Sequence, residues 1–313
     1  MSTPFAFLQT EARQPPEILV FFVRHMNSAP LLRTLLALGR VALLPTIWSN
    51  CLAGWWLSGG GNYWKLPFLF LGVSLLYTGG AFLNDAFDAD FDRQRRAERP
   101  IPLGKISIET VWRLGFGQLV AGIFLLIFCS QLAAGAGIFL ALFILLYNFS
   151  HNFFTAAPWL MGACRFWVYI IAGATGSYGL NGWPIFCGAA LAFYTAGASY
   201  VVRRKTFCGL IPHWPLLLLA APVALAIMMN SGHFRTLAMT ISVVMVGWII
   251  RCLQNIFLGS EINVARTNAN LIAGIVFVDW LASAPQISTG NGLMVFLALF
   301  GLTKLAQKFV LAI

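Results

Sequence analysis

The sequence predicts an all-α fold: a polytopic transmembrane helical bundle of nine to ten spans. Three observations predict it. First, 59% of the 313 residues are hydrophobic and only 10% are charged, against about 25% charged in a soluble domain. Second, apolar runs recur along almost the whole chain, most of them near the ~20 residues that a helix needs to cross a bilayer. Third, the polar connections between the runs alternate between basic and nearly uncharged, as loops on opposite sides of a membrane do.

Residues 1–30 read as a cytoplasmic or interfacial lead. The run Ile18–Val23 is short, follows Glu11 and Glu17, and lacks a signal-peptide layout. Residues 31–313 read as one membrane-embedded domain. Its apolar segments fall at roughly 34–58, 66–87, 108–128, 132–149, 157–179, 184–202, 214–230, 236–257, 266–284 and 292–312. Hydrocarbon offers no partner for a free backbone group, so each segment is expected to be a helix.

One set of connections carries Arg93, Arg95, Arg96, Arg99 and Lys105, then Arg203, Arg204 and Lys205, then Arg266. This set is expected at the cytoplasmic face, which puts the N-terminus inside. Ten spans also bring Lys304 and Lys308 inside; nine would leave them outside. The net charge of +10 is read as these loops. No basic tract is interleaved with aromatics, so nucleic acid is not expected as a partner. The six cysteines form no CxxC pair and lie mostly in apolar runs, where they act as small buried hydrophobes.

The second segment ends in a dense run of acids that contains Asn84, Asp85, Asp88, Asp90 and Asp92. If the helix continues, each residue turns the face by about 100°. Relative to Asp85, Asn84 then lies at about −100°, Asp88 at about −60° and Asp92 at about −20°, while Asp90 falls opposite at about 140°. Three aligned carboxylates at a membrane boundary repel one another unless a cation joins them. Mg²⁺ suits such oxygen donors: it takes one or two carboxylates, keeps waters and completes its shell from substrate phosphates. The alternative is a solvated helix end paired with Arg93, Arg95 and Arg96. The following run, Arg99 to Lys105, contains Pro100 and Pro102 and is read as a basic loop.

Asn84, Asp85, Asp88 and Asp92, followed by Arg99, Pro100, Ile101, Pro102, Gly104, Lys105, Ile106 and Ser107, resemble the first aspartate-rich motif and adjoining loop of the UbiA superfamily of membrane prenyltransferases. The resemblance extends to Leu44, Pro45, Thr46, Ser49 and Asn50, to Tyr147, Asn148 and His151, and to Met161–Arg165 with Tyr169, and covers roughly residues 35–285. It implies a helical bundle around a central cavity open to the cytoplasmic face and to lipid. It also implies Mg²⁺-dependent transfer of an isoprenoid chain from a prenyl diphosphate to an aromatic or other nucleophilic acceptor. On this reading Asp85, Asp88 and Asp92 are catalytic and hold the metal with Asn84. Asn50, Asn84, Arg96, Arg99, Lys105, Arg165 and Arg204 bind substrate.

The family pattern is incomplete. A second acidic motif is expected after the sixth span, but Ser199–Lys205 contains no acid and three basic residues. A prenyl-lipid binding or carrier protein on the same fold is therefore the rival reading. A transporter is disfavoured, because no inverted repeat is visible and the acids cluster at one face. The expected setting is the cell (inner) membrane, with the lipid bilayer, a diphosphate donor, an unidentified acceptor and possible membrane protein partners.

Among other residues, Asp279 lies in an apolar run and is expected to face the cavity, where it binds a second metal, or to pair with Arg165 or Arg251. Asn50 is read either as a polar floor to the site or as a helix–helix contact. His151 is a weak acid–base candidate. Arg33 and Arg40 are read as snorkelling anchors.

Overall fold

A computed structural model describes residues 30–203, 214–230, 233–257, 264–286 and 289–310. Arg204 and Lys205, together with nearly all of the N-terminal lead, lie outside the described residues.

Among the described residues the fold is all helix, with no strand. The order is α1 (Pro30–Leu38), α2 (Leu44–Leu57), α3 (Leu66–Phe87), α4 (Ala89–Arg95), α5 (Ile108–Ile127), α6 (Gln131–Ser150), α7 (Ala157–Gly173), α8 (Gly182–Arg203), α9 (Trp214–Leu219), α10 (Ala221–Met229), α11 (His233–Phe257), α12 (Val264–Ala273), α13 (Ile275–Ser283) and α14 (Thr289–Val310). Proline stands in the first turn of α2, α3 and α7, where its missing N–H costs nothing. Ser107 and Ser130 cap α5 and α6 by accepting hydrogen bonds from the Thr110 and Ala133 amides.

Six helical runs among the described residues are long and apolar enough to cross a membrane, at 63–87, 108–127, 131–150, 182–203, 234–254 and 264–286. A seventh is added if α1 and the run from Val41 to Leu57, bent by 50°, count as one broken span. The expectation of nine to ten spans is not confirmed among the described residues. The seventh predicted segment breaks at Ala220 into two short helices, and the fifth ends at Gly173 after 17 residues. The last helix carries Asn291, Lys304, Gln307 and Lys308 within its apolar run.

Two large apolar cores fill the bundle, and a smaller one around Leu38, Phe82, Ala86 and Val111 lies beside the end of α3. One large core joins α2, α3, α5, α6 and α7, with Cys51, Leu76, Leu83, Leu126 and Ile171 fully or almost fully buried. The other joins α2, α7 and α8 to the later helices through Tyr169, Leu191, Tyr194, Leu271 and Val278. Helices α2 and α7 serve both cores and are therefore central. Helices α3 and α5 meet backbone to backbone. A Cβ on Gly79 would sit 2.8 Å from the Gly115 carbonyl oxygen, and one on Gly122 would sit 2.8 Å from that of Gly72. Small residues allow such crossings in lipid, where packing must replace the hydrophobic drive.

Candidate active site at the end of α3

Helix α3 delivers the acids. It ends at Phe87, Asp88 links it to α4, and the hydrogen-bond ladder runs through the junction: Asp88 N donates to Asn84 O at 3.0 Å, and Asp92 N to Asp88 O at 2.8 Å. The predicted stripe is therefore real. Asn84, Asp85, Asp88 and Asp92 are each less than 9% exposed. Asp90 points away, is 88% exposed at its side chain, and pairs with Arg93.

The basic loop folds back over the stripe. Arg99 Nη1 lies 3.0 Å from Asp85 Oδ1 and 3.1 Å from Asp92 Oδ2. Arg96 is farther, at 4.0 Å from Asp92. Lys105 stays exposed in the turn after Gly104, whose φ of 70° favours glycine. The structure thus brings Asn84, Asp85, Asp92, Arg99 and Arg96 together, and leaves Lys105 at the surface.

Asp88 is held from the turn that follows α6. Asn152 donates to it at 2.8 Å, and His151 Nε2 lies 3.2 Å from Oδ1. Burial acts to raise the Asp88 pKa. Hydrogen bonds from His151 and Asn152, with the charges of His151 and Arg99, outweigh it and bring the group below its ordinary value. Asp92 shifts the other way. Its burial, with the negative charges of Asp88 and Asp85, prevails over Arg99 and Arg96 and raises it. Its Oδ1 is buried and has no hydrogen-bond partner.

Arg40 belongs to this site, although its sequence position suggested a lipid anchor. Its guanidinium contacts Asn84 Oδ1 and lies 3.1 Å from Asp85 Oδ1. It occupies the break between α1 and α2 with φ 47° and ψ 41°, the one non-glycine residue with positive φ among the described residues. Such a backbone costs of order 1–3 kcal/mol and persists where surrounding contacts over-determine it. Gly39 stands at the bend, but the left-handed residue is Arg40 itself, which the pattern of residues did not single out.

Asn50 and Arg165 lie elsewhere. Arg165 of α7 donates from Nη1 to Asn50 Oδ1 at 2.6 Å, and from Nη2 to Thr46 Oγ1 at 3.1 Å. The Asn50 amide donates in turn to both oxygens of Asp279, at 2.9 and 2.7 Å. Tyr169 donates to Asp279 at 2.6 Å, and Ser49 also hydrogen-bonds to it. Asp279 and Arg165 are thus coupled through an amide rather than in direct contact.

Whether these donors suit a divalent metal turns on Asp92. Its buried Oδ1 accepts no hydrogen bond and is met only by Arg96 at 4.0 Å, and Asp85 and Asp92 already share one positive nitrogen. Among the described residues, no three His, Cys, Asp or Glu side chains form a metal-binding group by themselves.

Known proteins share this layout. The profile of the UbiA prenyltransferase family matches residues 42–259. The chain is 33% identical to a 4-hydroxybenzoate octaprenyltransferase of Azotobacter vinelandii over 164 residues, 50% of this chain and 54% of that protein. It is 36% identical to a digeranylgeranylglyceryl phosphate synthase of Metallosphaera sedula over 61 residues, 20% of this chain and 22% of that protein. The chain thus spans about half the length, or less, of these curated relatives. Among solved structures, a UbiA homolog from Aeropyrum pernix K1 superposes with TM-score 0.62 at 18% identity, covering 82% of this chain and 96% of that one. A structure described as giving insight into digeranylgeranylglyceryl phosphate synthase in membranes superposes with TM-score 0.60 at 19% identity, over 82% of this chain and 100% of that one. With the phased carboxylates at the end of α3 and a profile match over more than half its length, the chain is an integral membrane protein that belongs to the UbiA prenyltransferase family.

Proposed function

We propose that this protein transfers an isoprenoid chain from a prenyl diphosphate to an acceptor within the membrane, and that Mg²⁺ is required. The observation that supports this most is the convergence of three buried carboxylates and two arginines at one helix end. Asp85, Asp92 and Asn84 would hold the metal, with Asp88 oriented toward the same face by Asn152 and His151. Bound there, Mg²⁺ supplies Lewis-acid stabilisation of the departing diphosphate.

The protein's own groups have separate tasks. Arg99 and Arg40 bind the remaining phosphate charge, and Arg99 can leave the carboxylates for the diphosphate because its two partners then meet the metal. Arg96 adds charge from the rim, and Lys105 draws the donor toward the site through solvent. Asn152 and His151 keep Asp88 ionised and fixed. Residues 31–313 act as one membrane domain, with the acidic face toward the cytoplasm of the cell membrane, because the basic connections gather on that side. A bundle interior that keeps out bulk water would protect an allylic cation from hydrolysis.

A second reading has one observation in its favour. Helix α8 ends at Arg203 and carries no acid over Ser199–Arg203, where the family usually supplies a second acidic motif. A protein that holds a prenyl lipid without ionising it would look the same. Mg²⁺-dependent release of inorganic diphosphate from a labelled prenyl diphosphate separates the two: release supports the transferase, and a bound, unreacted lipid supports the carrier.

A further inference from the structure

Helix α14 carries a basic edge that the proposed reaction leaves unused. It runs from Thr289 to Val310 and packs against α2, α12 and α13. Near its start, Phe296 meets Trp56 at the far end of α2, with ring centroids 5.9 Å apart. Farther along, it reaches the turn Val41–Leu43 that follows Arg40. Its C-terminal half therefore lies at the same end of the bundle as the acidic stripe, and it runs antiparallel to α12.

Side-chain hydrogen bonds fix its register on α12. Gln307 Nε2 donates to Ala269 O at 2.8 Å, and Lys304 Nζ donates to Asn270 Oδ1 at 2.6 Å. Lys304 also donates to Gln307 Oε1 at 3.3 Å. Gln307 and Thr303 are buried on the bundle side, while Lys304 is half-buried. Both acceptors of Lys304 are neutral amides, which satisfy its N–H groups and leave its charge in place.

The next rung repeats that charge. Residues four apart share a helix face. Arg266 stands one turn before Asn270 on α12, and Lys308 one turn after Lys304 on α14. In antiparallel helices both steps lead the same way, about 6 Å toward the end of the bundle that holds the stripe. Arg266 and Lys308 are thereby brought level, both are exposed, and Arg266 lies within electrostatic reach of Lys304. Three cations converge on one seam. From residue 251 onward the sequence offers two acids, Glu261 and Asp279. Asp279 is sealed inside the bundle and committed to Ser49, Asn50 and Tyr169. Like charges gathered at the edge of a low-dielectric bundle repel, and an anion between them relieves the repulsion.

The flank of the seam tells what carries that anion. On α14, Met294, Leu297, Leu305 and Lys308 fall within about 80° of one another around the helix axis. Met294, Leu297 and Leu305 are 73%, 49% and 51% exposed. One apolar strip thus leads along the outside of the bundle directly to the cations. A free phosphate would use the cations and leave the strip bare. A lipid with an anionic headgroup fills both, as basic pockets between membrane helices do.

We infer that the seam between α12 and α14 is a binding site for an anionic membrane phospholipid. Arg266, Lys304 and Lys308 hold its phosphate, and the strip from Met294 to Leu305 takes an acyl chain. These residues lie beyond the stretch that the family profile matches, which ends at residue 259. Because α14 also packs on the turn after Arg40, a lipid that fastens it to α12 steadies that turn. The inference does not depend on the prenyl-transfer reading.

The test titrates phosphatidylglycerol, and separately phosphatidylcholine, onto the purified full chain in detergent and measures bound lipid by native mass spectrometry. Thermal melts are taken in phosphatidylcholine nanodiscs alone, with phosphatidylglycerol, and with inorganic phosphate. The wild type is compared with Arg266→Gln/Lys308→Gln and with Arg93→Gln/Arg113→Gln, which removes the same charge from exposed residues elsewhere. The wild type should bind phosphatidylglycerol at least about tenfold more tightly than phosphatidylcholine and melt higher with it. The seam pair should lose that preference about tenfold, and the control pair should keep it within about twofold. Each single glutamine variant of the seam should lose about three- to fivefold, which covers the case of a pair that does not fold. Equal binding of the two lipids by the wild type, or equal losses in the seam and control pairs, would overturn the inference. So would inorganic phosphate that raises the melting temperature as much as phosphatidylglycerol does, since the apolar strip would then have no part.

Discussion

Asp85 and Asp92, two helical turns apart, are held by the same atom, Nη1 of Arg99, at 3.0 and 3.1 Å. Their oxygens therefore bracket a single positive charge. This geometry makes Arg99 the resting occupant of a cation position, and it leads to the first prediction.

Arg99→Gln leaves the two carboxylates facing one another with only Arg40 on Asp85. Mg²⁺ should then raise the melting temperature of the variant more than that of the wild type, because the unbalanced charge binds the ion more tightly. KM for the prenyl diphosphate should rise about tenfold from the lost phosphate contact. Thermal melts with and without Mg²⁺ check the first outcome, and initial rates check the second.

Asp90 and Asp92 are two residues apart and face opposite ways. Asp90 makes an exposed pair with Arg93, and such pairs contribute about 0–1 kcal/mol. Asp90→Asn should keep activity within about twofold. Asp92→Asn should lose about a hundredfold or more, since it removes a charge that cation binding needs. Comparable losses in both variants would contradict the phasing.

That phasing was legible in the sequence because helical geometry alone separates Asp90 from its neighbours. The family motif was legible for the same reason. Other features depend on partners that no local pattern reveals. Asp279 meets Ser49, Asn50 and Tyr169 across separations of 110 to 230 residues. Arg40 reaches the site because the chain bends there, and although Gly39 marks a break, nothing local shows that the arginine rather than the glycine takes the left-handed conformation. Fewer runs meet the length of a span than hydropathy suggests, because hydropathy reads straight through a break such as that at Ala220.

Asn152 holds Asp88 through a 2.8 Å hydrogen bond. Asn152→Ala should lower kcat/KM by about ten- to a hundredfold, the equivalent of a bond to a charged group lost, while leaving the fold intact. An unchanged kcat/KM would show that Asp88 needs no such orientation.

Gly79→Val tests the α3–α5 crossing. The new Cβ would lie 2.8 Å from the Gly115 carbonyl oxygen, so the helices must separate, at a cost of about 1–3 kcal/mol. Gly117 has nothing within 4 Å of such a Cβ, and Gly117→Ala on the same helix pair should be neutral. Since α3 carries Asp85, the Gly79 variant should lose activity along with thermal stability.

The central claim is that the acidic stripe ionises a prenyl diphosphate with the help of a divalent ion. The most direct test is diphosphate release from a labelled prenyl diphosphate by reconstituted wild type and Asp88→Ala, with Mg²⁺ and with excess chelator. The account predicts release by the wild type with Mg²⁺ only, and loss of at least about a hundredfold in Asp88→Ala. Release that persists in the chelator, or at full rate in Asp88→Ala, would contradict it.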